Sequence, residues 1–168
     1  MRRRDFLKVP CALLAGSAAG GMGFERVLAA GRYDKRYWHE AAHYTRNKDK
    51  SVVCNLCHNH CPIDDGDLGV CGVRINQSGT LYSRVYGRPV SMAVDPIEKK
   101  PLFHFKPACK AFSLATAGCN FGCLFCQNWE ISQSRPEDLP ARYGHVSPER
   151  VVAEAQKHGS GAIAFTYN

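Results

Sequence analysis

Two apolar runs separated by a helical pattern are the clearest periodic feature of the chain. Residues 112–117 (FSLATA) and residues 162–167 (AIAFTY) each have the length and near-continuous hydrophobicity of a buried parallel strand. Between them, Ser147 and Pro148 are residue types favoured at a helix N-cap and first helical position, and Gly159 can end that helix. Strand, loop, helix and strand make one βαβ unit, so the pattern predicts an α/β fold with a parallel sheet.

The first half of the chain has a weaker, β-like pattern. Residues 80–86 alternate imperfectly between apolar and polar, residues 87–89 (GRP) favour a turn, and residues 90–94 can form a second strand. Prolines interrupt residues 95–105, which we expect to be irregular. The charged and aromatic residues 31–50 are interpreted as a linker with one short helix around residues 35–44.

Composition narrows the class of protein. The chain has 168 residues, which is enough for one modest domain. Its net charge of +7 is not arranged in a long basic stripe with interleaved aromatic residues, so no nucleic-acid partner is predicted. The nine cysteines are tightly spaced, which favours metal ligation over a disulfide framework.

Three cysteines directly follow the first predicted strand. Cys119, Cys123 and Cys126 have the spacing C-x3-C-x2-C. A closed zinc or iron–sulfur site usually takes four protein ligands, and Cys109 precedes the strand, so it is expected at the far end. Three close thiolates without a fourth predict a cluster that leaves one iron open. A zinc knuckle is the alternative.

A second set of cysteines has the spacing C-x2-C-x3-C-x9-C on glycine-punctuated segments. Four thiolates suit a structural zinc ion or a closed iron–sulfur cluster, with His58 or His60 able to replace one of them. Disulfides or free thiols are alternatives, and the run CNLCH also spells the c-type haem attachment pattern. The four residues are Cys54, Cys57, Cys61 and Cys71.

The amino terminus has the parts of an export signal in order. Residues 3–8 (RRDFLK) follow the twin-arginine pattern, residues 9–23 are weakly apolar, and residues 28–30 (LAA) offer a small-residue cleavage region. These parts predict export to the periplasm by the twin-arginine translocase, in the folded state. The alternative is a basic tail on a cytoplasmic protein.

From residue 54 to residue 168 the chain resembles the radical S-adenosylmethionine (radical SAM) branch related to pyruvate formate-lyase activating enzyme. Within it, the chain is most similar to the radical SAM component of the AmmeMemoRadiSam system. The runs that carry the resemblance are CNLC (54–57), Cys61, GVCGVR (69–74), DPIEKKP (95–101), AGCNFGCLFCQNW (117–129) and FTYN (165–168).

The resemblance implies a partial (β/α) barrel whose three-cysteine loop binds a [4Fe-4S] cluster, with S-adenosylmethionine chelating the fourth iron. It places Phe125 near the adenine of that cofactor, and Tyr167 and Asn168 near its methionine amino group. The implied domains are a signal at 1–30, a linker at 31–50, a cysteine-rich module with a β region at 51–110, and the start of the barrel at 111–168.

The implied activity is reductive cleavage of S-adenosylmethionine to a 5′-deoxyadenosyl radical, which abstracts hydrogen from an unknown protein or small-molecule substrate. A reductant such as flavodoxin or ferredoxin is the implied electron donor. Because the family's next acidic residue and later barrel units would follow Asn168, we expect the sequence to be truncated. The competing hypotheses are an exported iron–sulfur or c-type haem electron carrier and an inactive truncated remnant.

Overall fold

Three small three-stranded sheets make up the part of the protein that the computed structural model describes, residues 35–165. The predictions for the twin-arginine segment, for the first residues of the linker, and for Tyr167 and Asn168 lie outside the described residues. Within residues 35–165, no helix is both long and apolar enough to cross a membrane.

The helices and strands are short. The strands are β1 (His39–Glu40), β2 (Tyr44–Arg46), β3 (Val52–Cys54), β4 (Pro62–Ile63), β5 (Arg74–Gln77), β6 (Thr80–Ser83), β7 (Ser91–Pro96), β8 (Lys110–Ala115) and β9 (Ala162–Ala164). The α-helices are α1 (Trp129–Ser132) and α2 (Pro148–Lys157), and 3₁₀ turns occur at Lys35–Tyr37, Ile97–Lys99 and Pro136–Asp138.

The amino-terminal region, residues 35–85, consists of two antiparallel sheets with strand orders β2-β3-β4 and β1-β6-β5. Asn76 on β5 joins them, since its fully buried amide donates hydrogen bonds to the carbonyl oxygens of Lys50 (2.8 Å) and Ile63 (3.0 Å). The core between the sheets is small. Its buried members are Ala41, Val52, Cys54, Ile63 and Leu81.

One prediction for this region is wrong. The helix expected around residues 35–44 is replaced by the 3₁₀ turn Lys35–Tyr37 and the strand β1, because His39 pairs with Ser83 across the sheet. The strands predicted around residues 80–86 and 90–94 are confirmed as β6 and β7, and they lie in different sheets, since β6 pairs with β5 while β7 pairs with β8. Tertiary pairing therefore overrides the local pattern.

The carboxy-terminal region, residues 86–165, contains the predicted strand–helix–strand unit. Strand β9 pairs in parallel with β8, in the register Ala111↔Ala162, and α2 connects them. Ser147 is the N-cap of α2 and accepts a hydrogen bond from the N–H of Arg150 (3.3 Å). Gly159 follows the helix with φ +63°, as a helix-ending glycine requires. These local predictions are confirmed.

Strand β7 adds an antiparallel edge to this sheet. It extends through Asp95 and Pro96, which were expected to be irregular, because they pair with Ala111 and Lys110 of β8. The Asp95 carboxylate accepts hydrogen bonds from Lys100 (2.8 Å) and from Lys99 (2.9 Å), and Asp95 and Lys100 are only 7% and 6% exposed. This ion pair fixes the turn after β7 against the sheet.

The two faces of the sheet carry different side chains. Phe112 and Leu114 of β8 pack against the apolar face of α2, where Val151 and Ala155 are buried. The opposite face of the same strand presents Ala111, which packs with Ile97 and Ala164 in a separate cluster. The helix thus covers one side of the β8–β9 pair and directs the end of β8 toward the cysteine loop that follows it.

Candidate metal centre

The three-cysteine loop, residues 117–128, leaves the end of β8 and runs into α1. Gly118 begins it with φ +81°, and its N–H donates to the carbonyl oxygen of Ile131 on α1 (2.9 Å). Gln133, just after α1, donates from Nε2 to the carbonyl oxygen of Phe121 (3.2 Å). The short helix therefore anchors both the start and the middle of the loop.

The three thiols lie in different surroundings. Cys119 is half-buried and its Sγ accepts a hydrogen bond from the N–H of Phe121 (3.4 Å). The Sγ of Cys126 lies 3.3 Å from the hydroxyl oxygen of Ser132, whereas Cys123 is exposed. A metal ion binds the deprotonated thiolate form of such a side chain.

Large apolar side chains on this loop point away from the core. Leu124 and Phe125 are 103% and 88% exposed, and Phe121 and Trp129 are also exposed. Contiguous exposed apolar groups commonly mark a surface that a ligand or partner covers. The position of Phe125, next to Cys126 and open to solvent, is compatible with the predicted packing against a cofactor.

Cys109 lies where the sequence predicts, at the far end of β8. It immediately precedes Lys110, the first residue of the strand, and its Sγ is 3.2 Å from the carbonyl oxygen of Lys110. The strand's 6 residues separate it from the loop by about 20 Å at ~3.3 Å per residue. Cys109 packs instead beside Ile97 and Ala111, so it is not positioned to supply a fourth ligand.

The other four cysteines line one cavity of about 240 Å³ between the amino-terminal region and the start of the three-cysteine loop. Cys119 of the three-cysteine loop lines the same cavity, a neighbourhood that the sequence analysis missed. No spacing rule could have indicated it, because the contact joins segments far apart in the chain. The four cysteines are Cys54, Cys57, Cys61 and Cys71.

The loop and the amino-terminal region meet at three further points. Asn59 donates from Nδ2 to the carbonyl oxygen of Asn120 (3.0 Å), and the His58 ring lies 5.2 Å from that of Phe121. A Cβ built at Gly118 would overlap the Cys71 carbonyl oxygen and the Val73 side chain. Glycine at position 118 is therefore required both by its positive φ and by this close approach.

Burial raises the pKa of the Cys71 thiol, and the neighbouring Cys54 raises it further. Backbone hydrogen bonds at Val73 and Arg74 and the positive charge of Arg74 act in the opposite direction. The balance keeps Cys71 protonated at neutral pH, so a metal ion that binds there must displace its proton.

All eight cysteines within residues 35–165 are free thiols. As they stand, no three His, Cys, Asp or Glu side chains of these residues are grouped closely enough to hold a metal ion. His58, which would be the haem ligand of the CNLCH run, is exposed and packs against Phe121.

The donor set of the three-cysteine loop fits the predicted cluster in chemical terms. It offers three soft thiols within one turn-rich segment, where the N–H of Cys126 donates to the carbonyl oxygen of Cys123 (3.3 Å). Thiolates are the ligands that iron–sulfur clusters prefer. With Cys109 remote, this loop by itself offers a cluster three cysteine ligands and leaves one iron without a ligand from the loop.

The chain is similar to an uncharacterized protein of the archaeon Methanocaldococcus jannaschii. The two are 47% identical over 128 residues, which is 76% of this chain and 38% of the relative. The chain thus spans well under half the length of the curated relative it matches. No protein-family model matches the chain, and no solved structure matches it.

Proposed function

We propose that this chain carries the cofactor-binding start of a radical SAM enzyme, with Cys119, Cys123 and Cys126 as ligands of a [4Fe-4S] cluster. The observation that supports it best is the position of the three thiols on an exposed apolar loop at the end of a buried strand, with Cys109 at the other end of that strand. When bound, the cluster supplies the electron that cleaves S-adenosylmethionine to a 5′-deoxyadenosyl radical.

The residues of the chain bind and orient in this proposal, and no acid–base pair is required. The N–H of Phe121 donates to the Sγ of Cys119, and the hydroxyl of Ser132 lies beside Cys126. The exposed ring of Phe125 offers a flat apolar surface on which an adenine can stack. The cofactor carries the difficult step, so the protein's task is to leave one iron accessible and exclude water.

The partners follow from the same proposal. A flavodoxin- or ferredoxin-like protein would deliver the electron, and the hydrogen donor would be an unknown protein or small molecule. Export by the twin-arginine route stays a prediction from residues 1–30, with a cytoplasmic location as its alternative.

The test is reconstitution of the chain with iron and sulfide without oxygen, followed by reduction and addition of S-adenosylmethionine. We expect an electron paramagnetic resonance (EPR) signal of a reduced cluster that changes when S-adenosylmethionine is added, together with formation of 5′-deoxyadenosine. Cys123→Ala should abolish the signal, whereas the matched control Cys109→Ala should retain it.

A cluster whose signal is indifferent to S-adenosylmethionine would contradict the proposal and favour an electron carrier. Loss of the cluster in Cys109→Ala would contradict the three-ligand assignment. Because Cys123 is exposed, its substitution should leave the far-ultraviolet circular dichroism spectrum unchanged. That spectrum therefore separates a lost ligand from a misfolded chain.

A further inference from the structure

The cavity lined by Cys54, Cys57, Cys61 and Cys71 has no role in the proposed function. We propose that these four residues bind a closed metal centre of the four-thiolate type, a zinc ion or a [4Fe-4S] cluster, and that this centre stabilises the conformation of the three-cysteine loop. The inference goes beyond the proposed function and does not depend on it.

Three of the four ligands come from one hairpin. Cys54 ends β3 and Cys61 immediately precedes β4, and the N–H of Cys54 donates to the carbonyl oxygen of Cys61 (2.9 Å). Cys57 lies in the connecting turn, where the N–H of His60 donates to the Cys57 carbonyl oxygen (3.3 Å). A hairpin turn that carries C-x2-C is a common way to present two thiolates to one metal ion.

The fourth ligand comes from a second turn that lies against this hairpin. Gly72 closes the turn, with φ +72° and its N–H donating to the carbonyl oxygen of Gly69 (2.9 Å). A Cβ at Gly69 would lie 3.8 Å from the Sγ of Cys61, so the turn that contains Cys71 approaches the cysteine hairpin closely. The four thiols thus line one cavity from two turns.

A metal centre would also stabilise the amino-terminal region, which has short strands and a small core. Its strands have 2 to 4 residues, and its core cluster has five buried members, of which Cys54 is one. Small cores of this kind usually require disulfides or a metal ion to be stable. Its described cysteines are free thiols, so they are available to bind a metal ion.

Binding requires local side-chain movement. No three of the thiols are close enough together as they stand to hold an ion. Rotation about the Cα–Cβ bonds moves the sulfur atoms between staggered positions without changing the backbone. All four residues already line the same cavity, and we infer that changes of rotamer bring their sulfur atoms together around the metal.

The proposed stabilisation of the loop follows from its contacts with the amino-terminal region. Asn59 and His58 adjoin Cys57, and they contact Asn120 and Phe121 of the three-cysteine loop. A metal ion that fixes the hairpin would therefore also fix the residues that hold the loop. Cys119, on the wall of the same cavity, would be the loop thiol most strongly affected.

The first test is metal analysis of the full chain with Cys119, Cys123 and Cys126 all changed to Ala. We expect about one zinc ion or about four iron atoms per chain, which identifies the metal. Adding Cys57→Ala should remove the metal, whereas adding Cys109→Ala should retain it. A triple variant without metal, or one that keeps its metal after Cys57→Ala, would overturn the proposal.

The second test does not depend on how the triple variant folds. In the Cys126→Ala chain, thiol alkylation is followed by mass spectrometry before and after removal of metal with a chelator. We expect the four cavity cysteines to resist alkylation until metal is removed. Cys119 is half-buried and Cys123 exposed even without metal, so we expect the rate of Cys119 relative to that of Cys123 to rise when metal is removed. Cavity cysteines that react as fast as Cys123 in the metal-loaded chain would refute the site, and a ratio of the Cys119 and Cys123 rates that does not change on metal removal would refute the stabilisation of the loop.

Discussion

The two cysteine sets differ in the structure that carries them. The set of four lines a cavity between short strands in a region with a very small core. The set of three lies on an exposed loop, but that loop leaves a strand packed on both faces. The comparison indicates two kinds of site: in the first a metal would hold the fold together, and in the second the fold would hold an open metal centre.

The largest difference is expected on removal of metal. A structural zinc in a small module contributes about 10 kcal/mol or more of binding free energy, comparable with the whole stability of a small domain. A chelator should therefore abolish hydrogen-exchange protection of β3 and β6, while β8 keeps its own. Mass spectrometry of the exchanging chain measures the protection of both regions. Equal loss of protection in β3, β6 and β8 would contradict the difference between the two kinds of site.

The buried ion pair tests whether the carboxy-terminal region is stable through its own contacts. Lys100→Met removes a buried partner of Asp95 and should lower the free energy of unfolding by about 3 kcal/mol, the cost of breaking a buried pair. Lys99→Met, at a position whose side chain is 58% exposed, is the matched control and should cost less than about 1 kcal/mol. Thermal unfolding of the two variants measures both losses of stability. Equal losses would refute a special role for Lys100.

The contact between the regions can be tested at two glycines with similar backbone. Gly118→Ala and Gly72→Ala both place alanine at positive φ, which costs about 1–2 kcal/mol. Only at Gly118 does the added Cβ meet the Cys71 backbone; at Gly72 it meets open space. We expect Gly118→Ala to cost about 1–3 kcal/mol more in denaturant unfolding. Equal costs would mean that the two regions do not pack there.

The smallest effect is expected at the helix cap. Ser147→Ala removes the hydrogen bond to the Arg150 N–H and should destabilise the chain by about 1 kcal/mol. Ser147 also lowers the pKa of Glu149 through a side-chain hydrogen bond. This interaction therefore adds to the stability of the folded chain above the ordinary carboxyl pKa, and that stabilisation is lost as the pH falls through the lowered pKa. Unfolding of Ser147→Ala should therefore differ less from wild type in acid.

A half-buried serine after the same helix, whose hydroxyl oxygen is buried, is the control for that substitution. None of the described residues is hydrogen bonded to the hydroxyl of Ser160, so Ser160→Ala should leave the free energy of unfolding unchanged or raise it. A cost at Ser160 as large as that at Ser147 would show that the cap is not the source of the effect.

The sequence predicted the local features that neighbouring residues determine. The cap at Ser147, the end at Gly159 and the parallel pairing of β8 with β9 are confirmed. Each depends on a short apolar run or on a residue type with a strong positional preference. The remote position of Cys109 followed for the same reason, because a strand separates its ends by a fixed rise per residue.

The sequence did not predict features that depend on long-range pairing. The residues of β1 were expected to be helical, and their pairing with β6 comes from a segment about forty residues later. Cys119 lines the same cavity as the four-cysteine set, and this too depends on contacts between segments far apart in the chain. The partial barrel and the radical SAM activity remain predictions, carried by cysteine spacing and by the resemblance.

The most direct test of the account is whether S-adenosylmethionine binds the cluster on the three-cysteine loop. Electron–nuclear double resonance of the reduced, reconstituted chain, with ¹⁵N in the methionine amino group of the cofactor, reports direct contact with iron. We predict a ¹⁵N coupling in the wild-type chain and in Cys109→Ala, and none in Cys123→Ala. A reduced cluster without ¹⁵N coupling in the wild-type chain would contradict the central claim.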